Sequence, residues 1–193
     1  LAAKMWKITF IDDKAKKIEV IPATDGKKPQ FFGSAGNIHP RVRVKMLEIL
    51  MDSSEFDYLD VAGMEKIREM RILFSAFLMT NSEYDRPVKE EQSNIIVYTF
   101  SGSKINRTIS FLLSISGLKN FPDERSSSID VDGTYEDFIK AWQNFPTLIE
   151  GIDSRLCDLL ESNPNLLEFS KWGAFLPDRF KLSLLKDKFF DFD

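Results

Sequence analysis

The chain opens on alternating apolar and polar side chains. In residues 5–11 (MWKITFI), Trp6, Ile8 and Phe10 fall on one face and Met5, Lys7 and Thr9 on the other. Residues 18–22 (IEVIP) repeat the pattern after the polar stretch Asp12-Asp13-Lys14-Ala15-Lys16. Period two on either side of a short polar connection predicts a β-hairpin. Pro22 ends it, because proline cannot donate to a ladder. A loop rich in Lys, Pro and Gly runs on through Asn37. The period then changes. Val42, Met46, Ile49 and Leu50 have helical spacing, and Pro40 suits a first turn, so a helix is predicted from Pro40 to about Ser53. Asp60 to Leu78 carries the strongest helical pattern, with Met64, Ile67, Met70, Ile72, Phe74 and Leu78 apolar and Glu65, Lys66, Arg68 and Glu69 mostly outward. Residues 81–93 are polar, contain Pro87 and read as a loop.

Residues 94–100 (NIIVYTF) are β-branched and aromatic throughout and predict a buried strand. Gly102 turns the chain into a helix from Ile105 to Ser116, with Ile105, Ile109, Leu112 and Leu113 inward. Residues 126–131 suggest one more strand. Thr134 and Asp137 have the spacing of a capping box for a helix reaching Phe145. Helix follows over roughly 147–162, and Pro177 opens a last one. The sum is an α+β fold: an early antiparallel hairpin and sheet module packed with several helices (1–133), and a helical C-terminal part (134–193) packed on it as one domain. No internal repeat or low-complexity tract is visible.

Composition narrows the class. The chain is 43% hydrophobic and holds 17 Phe, enough for a core and incompatible with disorder. A single cysteine, Cys157, excludes an intrachain disulfide and suits a reducing, cytoplasmic setting. No stretch approaches the roughly 20 apolar residues of a membrane span. The opening Leu1-Ala2-Ala3-Lys4-Met5-Trp6 is broken by charge and is no signal peptide. Lacking an initiator Met, it reads as a boundary within a longer protein. The net charge of −4 argues against nucleic acid, but its distribution does not. Residues 1–50 carry ten Lys/Arg against five Asp/Glu, leaving 16 against 25 in the remainder. A basic front on an acidic body can meet phosphate on one face. It can equally do no more than solubilise a hairpin.

Several chemistries are absent. Gly102-Ser103-Lys104 has the residue types of a phosphate-binding loop in the wrong order, and Asp57-Tyr58-Leu59-Asp60 is not a Mg²⁺-binding acidic box. Ser128 to Gly133 has the oxygen spacing of a calcium loop, but Ile139 stands where a bidentate Glu is required. One Cys and one His do not make a zinc site. His39 has no nucleophile marked beside it and reads as a surface or capping residue. Gly33-Ser34-Ala35-Gly36 lacks the basic residues of an RNA-binding GxxG loop. No catalytic residue, metal site or cofactor is expected in this chain.

Three segments together resemble one family. Leu1-Ala2-Ala3-Lys4-Met5-Trp6-Lys7-Ile8, then Ile11-Asp12, Ile18 to Ala23, and Pro29 to Gly33 are similar to "LxGxxWxI…VD…xVxVxPA…PxFxG". That pattern follows the winged helix in Lhr-like superfamily-2 DEAD/DEAH-box ATP-dependent helicases. Tyr98 to Leu113 resembles the same module's "W/F-x-G-x-x-x-N-x-T-L-x-x-L-L". Lys171-Trp172-Gly173, Leu176-Pro177 and Phe190-Asp191 resemble its closing "KWGxxLPxxL…FD". Ala3 departs from the pattern, where the family often has Gly. The resemblance implies an accessory domain that is not itself an enzyme and holds a DNA or RNA strand. The motor and winged-helix domains lie upstream in the same chain, and ATP and Mg²⁺ belong to those motors.

Holding a strand without sequence choice requires cations for phosphate and an aromatic plane for bases. Trp6 beside Lys4 and Lys7 offers both, or else Trp6 is core with Ile8 and Phe10. Lys104, Asn106 and Arg107 open a helix whose free N–H groups attract phosphate, or else Asn106 braces the strand–helix turn. Arg41, Arg43 and Lys45 share a face if extended and spread apart if helical. The other class of function is a protein-interaction scaffold that docks partners through the acidic helical part.

Overall fold

A computed structural model describes residues 6–12, 14–22, 36–81, 84–170 and 172–192. The chain divides into two compact units, residues 1–36 and 37–193.

The first unit is the predicted hairpin, β1 (Trp6–Asp12) paired antiparallel with β2 (Lys17–Pro22). Its turn is closed by the Asp12 carboxylate, which accepts from the Lys14 and Ala15 backbone N–H groups at 3.0 and 2.9 Å. Lys16 takes the left-handed conformation there (φ 52°). The pairing is irregular: Ile8 faces Val20, but Phe10 faces Glu19, so Thr9 is the extra residue of a β-bulge.

The second unit carries a four-stranded antiparallel sheet of order β3-β4-β6-β5, built from β3 (Val88–Glu90), β4 (Asn94–Tyr98), β5 (Asn120–Asp123) and β6 (Ser128–Asp132). The helices are α1 (Pro40–Met51), α2 (Val61–Phe74), α3 (Ser103–Ile115), α4 (Tyr135–Gln143), α5 (Phe145–Glu150), α6 (Ile152–Ser162) and α7 (Asp178–Phe189). The fold is α+β. The sequence pattern does not reveal β3 and β5, which are short edge strands with little apolar signal, and β5 contains Pro122, tolerated only at an edge. Helix 147–162 divides at Gly151 into α5 and α6.

One core joins the sheet to α3–α7. Ile95, Val97, Ile129 and Val131 from the sheet meet Ile109, Leu112 and Leu113 of α3, Phe138 of α4, Leu156 of α6 and Leu185 of α7. Residues 134–193 share a core with the sheet, and the division between the two compact units falls at Gly36/Asn37. The predicted capping box is present: the Asp137 N–H donates to Thr134 Oγ1 at 3.2 Å and the Thr134 N–H to Asp137 Oδ2 at 3.1 Å.

Candidate nucleic-acid interface

Directly opposed residues of an antiparallel pair share a face. The register therefore puts Trp6, Ile8, Ile11, Ile18, Val20 and Pro22 on one side of the hairpin, and Lys7, Phe10, Asp12, Lys17, Glu19 and Ile21 on the other. Simple alternation groups Phe10 with Trp6 and Ile8. The bulge at Thr9 overturns that and moves Phe10 to the face of Lys7 and Lys17. Phe10 is 54% exposed. Lys17 pairs with Glu19 at 2.8 Å, and no ion pair among the described residues involves Lys7, Lys14 or Lys16. Trp6, on the apolar face, is half-buried, and its indole N–H is shielded without a partner among the described residues. Lys4 lies outside the described residues.

In the second unit, Arg41–Lys45 is helical, so its three cations spread. His39 caps α1, its Nδ1 accepting from the Arg41 N–H at 3.2 Å. Arg41 is exposed, and Lys45 pairs with Glu48 at 2.9 Å. Arg43 is buried, and its guanidinium donates to the Glu124 and Arg125 carbonyls in the β5–β6 turn. It holds that turn to α1 and is removed from any exposed cationic face.

The start of α3 is also committed internally. The Ser103 N–H donates to the Ile38 carbonyl at 3.1 Å. The Ser103 hydroxyl accepts from the Ile38 N–H at 2.9 Å and donates to Glu124 Oε2 at 2.8 Å. A carboxylate of this chain thus sits by the positive end of α3, in the place the sequence offers to phosphate. Lys104 donates to the Asp187 carbonyl. Arg107 donates to Asn37 Oδ1 at 2.7 Å and to the Phe189 carbonyl at 3.5 Å, with its guanidinium 5.9 Å from the Phe189 ring centroid. Thr108 Oγ1 accepts from the Asp191 N–H at 2.9 Å. These residues clasp the end of α7 and the Phe190-Asp191 segment onto α3. Cations beside the last carbonyls of a helix are stabilising in their own right.

Asn106 is 1% exposed, and its Oδ1 accepts from Thr99 Oγ1 at 2.6 Å. It braces the corner between β4 and α3. That corner explains why β4 stops at Tyr98. Phe100 and Ser127 are both buried in the left-handed region (φ 44° and 55°), with the Ser127 carbonyl accepting from the Thr99 N–H at 2.8 Å.

The glycines of two resembling segments have a steric cause. A Cβ on Gly102 would lie 2.7 Å from Pro40 Cδ and 2.9 Å from the Ile38 carbonyl oxygen. One on Gly173 would lie 2.8 Å from the Leu167 carbonyl oxygen. Trp172 is largely exposed. No described helix is long and apolar enough to cross a membrane, and no acid, His or Cys cluster suited to a metal occurs among the described residues.

Of the expected strand contacts, Lys7 and Arg41 remain exposed, whereas Arg43 and Asn106 are buried and Lys104 and Arg107 hold the C-terminal segment. Phe10 is the addition. Its signal in the sequence is indirect: only a bulge lets Ile8 and Ile11 share a face with Val20 and Ile18. No family model, curated protein or solved structure matches this chain.

Proposed function

We propose that this chain is a strand-holding accessory domain of an Lhr-like, ATP-driven helicase. In this reading the hairpin supplies the contact, and upstream motor domains supply ATP hydrolysis. The observation that carries it is the division of the hairpin into two unlike faces. One presents an exposed aromatic ring on a face that carries Lys7 and Lys17 together with Asp12 and Glu19, with Lys14 and Lys16 in the adjoining turn. Stacking on a flat side chain flanked by cations is how single strands are held without sequence choice. The opposite face is apolar, with Ile8, Ile11 and Ile18 each more than half exposed. Two strands alone are marginally stable in water, so that face suits packing against another part of the parent protein. The family resemblance draws support from the segment Tyr98–Leu113: its Gly has no room for a Cβ and its Asn is a buried brace, which are physical reasons for those residue types.

Affinity for a labelled oligothymidylate, measured across a salt series, tests the proposal. Phosphate contacts make log K fall linearly with log salt, by about 0.7 per contact on a single strand. Binding that is flat in salt, or absent at low salt, would overturn it. The scaffold reading has one observation in its favour, the internal use of Arg43, Lys104 and Arg107, and it predicts the flat result.

A further inference from the structure

The two edges of the four-stranded sheet are unlike. At the β3 edge the Tyr98 N–H donates to the Pro87 carbonyl and the Glu91 N–H to the Asn94 carbonyl, each at 2.9 Å. Antiparallel pairs alternate bonded and non-bonded residues. Lys89 therefore bonds β4, and the N–H and C=O groups of Val88 and Glu90 point away from the sheet. Among the described residues those four groups have no hydrogen-bond partner. At the β5 edge the Asp132 N–H donates to the Lys119 carbonyl, so the outward positions are Asn120 and Pro122. Pro122 has no N–H, and the Asn120 side chain is tied to α3 by the Ser110 hydroxyl, which donates to it at 2.6 Å. The β5 edge is thereby blunted. The β3 edge is not.

Short strands and lysines also blunt edges, but β3 borders a groove. All three of its residues line an opening of about 780 Å³, together with Met46 of α1, Met70, Leu73 and Phe74 of α2, and Tyr98. Leu73 is 76% exposed, and Met64 is the only buried residue of α2. Lys89 stands opposite Ile96, so Lys89 and Tyr98 share a face of the sheet. A further strand paired to β3 would direct every second side chain over that face and into the groove. The two methionines adapt to more than one apolar shape. The charged lining groups are mixed: Lys89 is paired with Glu91 at 2.6 Å, Arg125 lies in the field of the Asp123 carboxylate, and Glu90 is acidic. They specify no ionic ligand.

We infer that the β3 edge and its groove receive an extended segment of a partner protein, which pairs with the main chain of Val88 and Glu90 and inserts alternate apolar side chains. A helix has no spare main-chain groups along its length to satisfy the edge. A second copy of this chain is disfavoured on two counts. A twofold interface needs a self-complementary patch, which a groove is not. Pairing β3 with itself about its centre also sets Lys89 against Lys89, like charges directly opposite. By the same rule a basic side chain suits the position opposite Glu90. The site is independent of strand holding by the hairpin.

Single-amide hydrogen exchange of the full chain tests this, before and after addition of an acetylated, amidated heptapeptide alternating leucine with threonine and lysine. In the free chain the Val88 and Glu90 amides are expected to exchange about tenfold or more faster than that of Lys89, which donates to β4. The peptide is expected to slow both saturably. Glu90→Pro removes one outward N–H where an edge strand tolerates proline. It is expected to weaken the peptide about tenfold, as loss of a main-chain bond requires, while retained protection of Lys89 shows that β3 is intact. Glu90→Gln keeps the N–H and is expected to weaken it roughly threefold or less. Leu73→Lys puts a charge in the groove without touching the core and is expected to weaken the peptide about tenfold or more. Val88 and Glu90 amides as slow as Lys89 in the free chain show the edge already covered and overturn the proposal. Protection that grows with protein concentration alone identifies a second copy and overturns it too. So does a peptide that slows neither amide, or slowing indifferent to both Glu90→Pro and Leu73→Lys.

Discussion

Gly102→Ala isolates a single physical cause. Gly102 has φ −69°, which alanine adopts without strain, so the backbone conformation is not at issue. The added methyl group would sit 2.7 Å from both Pro40 Cδ and Cγ and 2.9 Å from the Ile38 carbonyl oxygen. None of these atoms is the end of a flexible side chain. Pro40 is a rigid ring in the first turn of α1, and Ile38 O accepts the Ser103 N–H. Relief therefore requires α1 and the start of α3 to separate. Overpacking of this kind costs about 1–3 kcal/mol. Alanine recovers about 0.4–1 kcal/mol by restricting the unfolded chain, which leaves a net loss of about 0–2.6 kcal/mol, about 1.3 kcal/mol at the midpoints. In a chain of this size the midpoint lowers Tm by about 3–5 °C. Gly151→Ala is the control: with φ −104° and no atom within 4 Å of the new Cβ, it gains about 0.4–1 kcal/mol by the same unfolded-state effect. Thermal and urea unfolding of the two variants measures the difference. Equal stability of both would refute the steric account of the glycine in this strand–turn–helix.

Two further outcomes follow from polar groups. Arg43→Met leaves the Glu124 and Arg125 carbonyls without their donor, so urea unfolding shows a loss of about 1–3 kcal/mol while strand affinity stays unchanged. Hydrogen bonding holds four carboxyls below the usual aspartate value: Asp52 by the Ser54 N–H, Asp85 by the Thr80 and Asn81 N–H groups, Asp123 by the Ser126 hydroxyl and Asp137 by the Thr134 hydroxyl. A lowered folded-state pKa contributes stability that is complete above the unfolded value, 3.8, and lost as pH falls through the folded value. Stability therefore declines as pH drops below 3.8, and Asp137→Asn flattens that decline, as circular dichroism during acid titration would record.

Much of the architecture is legible in the sequence wherever one face of an element is buried. Ile95, Val97, Leu112, Leu113 and Phe138 announce β4, α3 and α4 because burial enforces the period. Elements without such a face are silent: β3 and β5 are short edges, and Pro122 disguises the second. The site was less legible, for a different reason. Arginine types in the sequence identify charge but not its use. Arg43 and Arg107 can bond phosphate or backbone carbonyls with the same geometry, and only the fold shows that carbonyls of this chain lie within reach. Likewise the face of Phe10 depends on one extra residue in β1, which alternation cannot register.

In the proposed function it is the hairpin, and not Lys104 or Arg107 of α3, that meets the strand. That claim is tested most directly by comparing salt-dependent oligothymidylate affinity for three variants of the full chain. Phe10→Ala is expected to weaken binding by about 1–3 kcal/mol with the salt slope intact, since stacking releases no counterion. Lys14→Ala with Lys16→Ala is expected to reduce the slope by up to about 0.7 per lost contact. Arg107→Ala is expected to lower stability through the α7 clasp and to leave both affinity and slope unchanged. Strand binding that Arg107→Ala weakens and the hairpin variants do not would contradict the claim.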